Sequence, residues 1–174
     1  MAQTKWSDVY GADQLLTGAR FTVEFFGVPS AIVDTGLLKL YGKASQLPDQ
    51  TVEIAEGRIG NIPVNQPDGL AAPGDWTFTV LENAGGKIHP MLSDWKEYVM
   101  GSESGNATRG YNTTKAVQTI YNHYGEVARV IDIFNVYPVT VPQIQPDSSA
   151  TGNIVEYAVV FKLSRHKDRE TILR

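Results

Sequence analysis

Residues 75–80 read Asp75-Trp76-Thr77-Phe78-Thr79-Val80. Their alternation of bulky apolar with small polar side chains has the period of a half-buried β-strand. Trp76, Phe78 and Val80 share one face, Thr77 and Thr79 the other, and the pattern runs on to Glu82. After a turn at Asn83-Ala84-Gly85-Gly86 the period changes. Across residues 87–100, Ile88, Met91, Leu92, Trp95, Tyr98 and Val99 form one stripe, while Asp94, Lys96 and Glu97 fall off it, which predicts an amphipathic helix. Pro90 near its start and Gly101 just past its end are the expected punctuation. The Trp95 face of this one principal helix is expected to cover an open side of a β core.

Beyond the helix, residues 101–110 (GSESGNATRG) are small and polar and predict a loop. Residues 115–123 and 127–137 read as two strands around Tyr124-Gly125-Glu126, with glycine where a positive φ is easiest. In residues 154–164 both alternating faces are partly apolar, as expected for a strand covered on two sides in a barrel or a sandwich. Before residue 75, residues 19–28 alternate as a strand, with Phe21, Val23 and Phe25 inward. Pro29-Ser30 reads as a turn, and residues 31–34 and 37–43 read as extended, with Leu38 and Leu40 facing one way. Residues 46–74 differ: Pro48, Pro63, Pro67 and Pro73 with four glycines leave room for short extended pieces at best, notably around Val52 and Ile54. A connection of that length in a small domain needs a reason, and an arm that orders against a neighbouring subunit supplies one.

The chain has 174 residues, 42% of them hydrophobic, enough for one domain with a real core. We divide it into an N-terminal extension (1–18), a mainly β domain (19–164) and a charged C-terminal tail (165–174) with little power to bury itself. Fifteen basic against nineteen acidic residues give a net charge of −4, with no broad basic excess for holding nucleic acid. Cysteine is absent, which removes disulfides and thiolate chemistry and fits a reducing cytoplasm. The start lacks the pattern of a secretory signal, and no apolar run approaches the roughly 20 residues that span a bilayer, so no membrane association is expected.

Signatures of catalysis are missing. His89, His123 and His166 are far apart in sequence, with no HExxH and no tight acidic run, so no metal site is expected. The glycines at 57–60 and 85–86 form neither GxGxxG nor a P-loop, and there is no Gly-x-Ser-x-Gly elbow. The serines at 102 and 104 have no histidine nearby in sequence. No catalytic residue and no cofactor is assigned.

The order of elements is informative in itself. Gln46-Leu47-Pro48, a long proline-containing arm, the residue 75–80 strand, the Trp95 helix running into Lys96–Gly101, a hairpin, Ile131-Asp132-Ile133-Phe134-Asn135-Val136-Tyr137-Pro138 as a strand entering an aromatic-Pro corner, and the strand at 154–163 follow one another. This succession resembles the tail tube protein family of contractile-tailed bacteriophages, which is related to the tubes of type VI secretion and of extracellular contractile injection particles. The resemblance covers about residues 20–163, and its specificity lies in order and spacing, since each motif alone is common. The segment before Thr17 and the tail after Ser164 depart from the family pattern as extensions.

The resemblance implies a small β-barrel or sandwich flanked by a helix. Six copies would form a ring whose inner strands join into one barrel, and the rings would stack into a hollow conduit for DNA inside a contractile sheath. It implies a non-enzymatic part of the virion tail, assembled in the bacterial host cytoplasm. Its partners would be other copies of itself, the sheath, baseplate and tail-terminator proteins, and a tape-measure protein in the lumen, with DNA passing through without specific binding. The arm reaching an adjacent subunit would carry Leu47, Pro48, Val52, Ile54, Ile59 and Ile62. Six copies would multiply the negative charge, and Glu24, Asp132 and Glu156 are strand acids that could face the lumen. The rival reading from a different class is a monomeric β-fold binding module for single-stranded nucleic acid or carbohydrate. Tyr121, Tyr124, Phe134 and Tyr137 favour it; the lack of a positive groove, with only Lys115 and Arg129 against Glu126 and Asp132, opposes it.

Overall fold

The structure, a computed structural model, describes residues 20–59, 61–101, 114–122, 124–144 and 154–169. The strand read first, β5 (Trp76–Leu81), lies inside an antiparallel sheet flanked by β2 (Gly42–Gln46) and β9 (Glu156–Lys162), with β8 (Tyr137–Thr140) beyond β9. A second antiparallel sheet runs β1 (Arg20–Phe26), β6 (Lys115–Tyr121), β7 (Val127–Phe134), β10 (Arg165–Arg169). Their inner faces meet in one core. Phe25 of β1 stacks on Trp76 of β5 at 5.9 Å and on Phe161 of β9 at 5.8 Å. The protein is thus mainly β, a two-sheet sandwich, with no closed barrel among the described residues. Helix α2 (Ile88–Met100) closes the sandwich with the predicted stripe: Trp95 is fully buried, 5.6 Å edge-on to Phe25 and 5.7 Å from Phe161, so it touches both sheets. Tyr98 is the exception in that stripe, being exposed.

The N-terminus of α2 is capped from outside. Glu82, just past β5, accepts from the amides of Ile88 and His89, each at 2.9 Å, and Asn83 Oδ1 accepts from the Lys87 amide. The Tyr157 hydroxyl donates to the same Glu82 carboxylate at 2.9 Å, and burial together with that bond holds the phenol protonated well above its ordinary range. A second polar chain joins the sheets through the core: Trp76 Nε1 donates to Ser45 Oγ, which donates to Gln118 Oε1, both at 2.9 Å.

Three expectations are corrected. Residues 31–34 are not extended: the amides of Ile32 and Val33 both bond Pro29 O in a turn. Residues 37–43 are not a strand, because α1 (Thr35–Tyr41) forms there with Asp34 Oδ1 accepting from the amides of Gly36 and Leu37. Leu38 is consequently buried while Leu40 is exposed, the opposite of a shared face. The single strand expected at 127–137 is two, since Asn135 takes φ 54° and turns the chain from the β1–β6–β7–β10 sheet into β8 of the other. Within the charged tail, Arg165–Arg169 form β10, which pairs with β7 and stays largely exposed. The glycine turn is as read, with Gly125 at φ 84°. The loop at 102–110, His123 and the extension at 1–18 lie outside the described residues.

Candidate functional site

The arm is more regular than its composition predicts. β3 (Val52–Ile59) and β4 (Ile62–Leu70) pair along their whole length as a separate two-stranded sheet, despite Pro63 and Pro67 in β4. A two-stranded sheet has only edge positions, where a missing amide is tolerated, and the register shifts between Glu53 and Ile54, opposite Pro67. None of the described hairpin residues is buried. At its root, Thr51 O accepts from the Ala71 amide at 2.9 Å, and the Gln50 side chain donates to the His166 carbonyl on β10.

The register divides the hairpin's apolar side chains between its faces. Val52 lies opposite Leu70 and Ile54 opposite Pro67, so the basal half is apolar on one face; Ile59 lies opposite Ile62, with Val64 on the same row set, so the tip is apolar on the other. Val52, Ile54, Ile59 and Ile62 are 50%, 62%, 72% and 67% exposed. Leu47 and Pro48 are placed differently: both are half-buried, Leu47 against the core and Pro48 close to Gly74. Leu70, 66% exposed, belongs with the hairpin set and was not read from sequence, since nothing local distinguishes it.

The three strand acids do not converge. Glu24 and Asp132 lie on the outer face of the β1–β6–β7–β10 sheet, in the same cross-strand row through Val117, while Glu156 is on the other sheet. Each is ion-paired: Glu24 with Lys39 of α1, Asp132 with Arg169 at 2.5 Å, and Glu156 with Lys43. These contacts push the Lys39 and Arg169 pKa values above their ordinary ranges. On the inner side of β10, burial lowers the His166 imidazole, opposed by Asp168, which itself pairs with Arg129 at 2.6 Å. Among the described residues no three His, Asp or Glu converge as a metal-binding group.

No family model matches the sequence, and no curated protein matches it. Solved structures do match in fold. A chain from a cryo-EM structure of the sheath–tube complex of an extracellular contractile injection system, PVC, in its extended state has a TM-score of 0.66 at 15% identity, covering 95% of this chain and 98% of that one. A chain from the sheath/tube terminator of the same system has a TM-score of 0.67 at 16% identity, covering 91% and 99%. One from the tube terminating cap of the anti-feeding prophage has 0.65 at 15% identity, covering 90% and 92%. The chain therefore shares a fold, over nearly its whole length, with components of contractile injection machines.

Proposed function

We propose that this chain is a tube subunit of a contractile tail, forming hexameric rings that stack into a hollow conduit within a sheath. The observation that carries the reading is the hairpin. Two strands with no third and no buried side chain are marginal alone, and this pair exposes large aliphatic side chains on both faces. A neighbouring copy that covers those faces removes both liabilities. The sheet topology supports the ring. β1 and β10 are the two edges of a sheet with four alternating strands, so β10 of one copy would meet β1 of the next in antiparallel sense and the sheet could continue around a closed ring. A bore lined by the outer face of that sheet would present Glu24 and Asp132, each ion-paired, among the more numerous cations Arg20, Lys115, Arg165, Lys167 and Arg169, and not Glu156. Sheath, baseplate, terminator and tape-measure proteins are the partners this role requires, in a virion tail assembled in the host cytoplasm with DNA as the transported polymer.

The test is negative-stain electron microscopy of the purified protein over a range of concentrations. Rings that stack into tubes are expected. A compact dimer at every concentration, with nothing larger, would overturn the proposal. The likeness to two terminator structures favours one second reading, a tube cap, which would give rings that do not stack.

A further inference from the structure

Folding β10 onto β7 changes the charge of one surface. Tracing the registers across the β1–β6–β7–β10 sheet, Arg20, Lys115, Arg165, Lys167 and Arg169 all project from its outer face, against the two carboxylates Glu24 and Asp132. Arg169 is neutralised by Asp132 and Glu24 by Lys39, which leaves four cations with no carboxylate partner among the described residues. A chain of net charge −4 thus carries a locally basic face. One cross-strand row alternates Phe26, Lys115, Phe134, Arg165. Lys115 Nζ is 5.5 Å and the Arg165 guanidinium 4.8 Å from the centre of the Phe134 ring, which holds both cations against the sheet, while Phe26 is 48% exposed.

We propose that this outer face binds a single strand of nucleic acid through its phosphates. Arg165 and Lys167 are alternate residues of one strand, which places their stems about 6.6 Å apart along it, with Arg20 and Lys115 extending the field across the sheet. Cations that track a backbone beside an exposed ring on which a base can stack are the ingredients of sequence-independent single-strand binding. The ring of Phe134 is occupied by its two cations, so Phe26 is the stacking platform. The proposal rests on this face alone and not on the tube reading.

Fluorescence anisotropy of a labelled 20-nucleotide single-stranded DNA, titrated with the full chain at 50 and 200 mM salt, tests it. Four phosphates neutralised predict affinity falling about fiftyfold between those salts. In the double variant Arg165→Ala, Lys167→Ala, which leaves the Asp132–Arg169 pair intact, two remaining contacts predict a fall of only about sevenfold and weaker binding at 50 mM. An unaltered circular-dichroism melt confirms that the variant is folded. No binding at 50 mM salt, or an identical salt dependence in the variant, overturns the proposal. So does equal affinity for polyglutamate, which would assign the face to an acidic protein segment, and so does tighter binding of a duplex of the same length. The anisotropy is read on unassembled subunits, below the concentration at which electron microscopy shows rings: subunits that assemble above it but do not bind DNA sink this proposal alone, and binding without rings or tubes at any concentration sinks only the tube.

Discussion

Trp95 ties its helix to both sheets, because its ring meets Phe25 of one and Phe161 of the other. Its indole Nε1 is buried with no hydrogen-bond partner among the described residues. Trp95→Ala is expected to cost about 3–5 kcal/mol, as cavities left by large aromatics do. Trp95→Phe keeps an aromatic in place and removes the orphan donor, whose burial costs about 1–3 kcal/mol, so it should cost distinctly less than the alanine variant. Urea denaturation of the two variants checks this, and equal losses would mean that the indole nitrogen contributes no penalty. Gly42 shows a different constraint: a Cβ there would lie 2.6 Å from the Phe78 ring, so the close approach of β2 to the core depends on having no side chain at that position.

At the scale of elements, β10 carries on its inner side an imidazole, His166, whose pKa burial lowers. With the folded pKa of His166 below 6.5, the unfolded chain binds more protons between the two values. Stability is therefore fully present above about pH 6.5 and declines as pH falls below it. Asp168 and Asp49 oppose this lowering, and Arg129 adds to it. His166→Gln should flatten the dependence of Tm on pH between 7.5 and 5.5; a decline of the same size in the variant would place its origin elsewhere.

The elements legible in the sequence were those with several periods of pattern: β5 by its alternation, α2 by its stripe, β6 and β7 by the glycine turn between them. The missed elements had weaker or competing local signals. α1 spans only seven residues, too few for alternation to separate helix from strand, and its decisive signal was the Asp34 cap rather than the leucines. β10 is written almost wholly in charged residues, and its pairing with β7 is a tertiary fact, visible as ion pairs to Asp132 and Arg129 only once the chain has folded. Of the candidate arm residues, Val52, Ile54, Ile59 and Ile62 stand exposed on the hairpin; the division of its two faces required the register.

For the whole molecule, that division separates two sets of assembly variants. Val52→Asp with Ile54→Asp charges the basal face, and Ile59→Asp with Ile62→Asp charges the tip on the opposite face. Both should leave Tm nearly unchanged, because neither pair is buried in the subunit. The basal pair is expected to abolish stacking of rings, and tubes growing at the normal rate in that variant would remove the hairpin from the interface. A lowered Tm would instead show that the hairpin packs on its own body.

The same hairpin has a consequence in time. Its strands are adjacent in sequence and can pair within microseconds, whereas Arg20 must find Tyr121, and Trp76 must find Phe161, across long stretches of chain. The hairpin, marginal alone, keeps its aliphatic side chains exposed throughout the slower closure of the sandwich that anchors it. During that interval each nascent copy exposes an apolar surface with no finished body behind it. Expression yield should then depend on how quickly the slow sheets close and on how well chaperones shield the hairpin meanwhile.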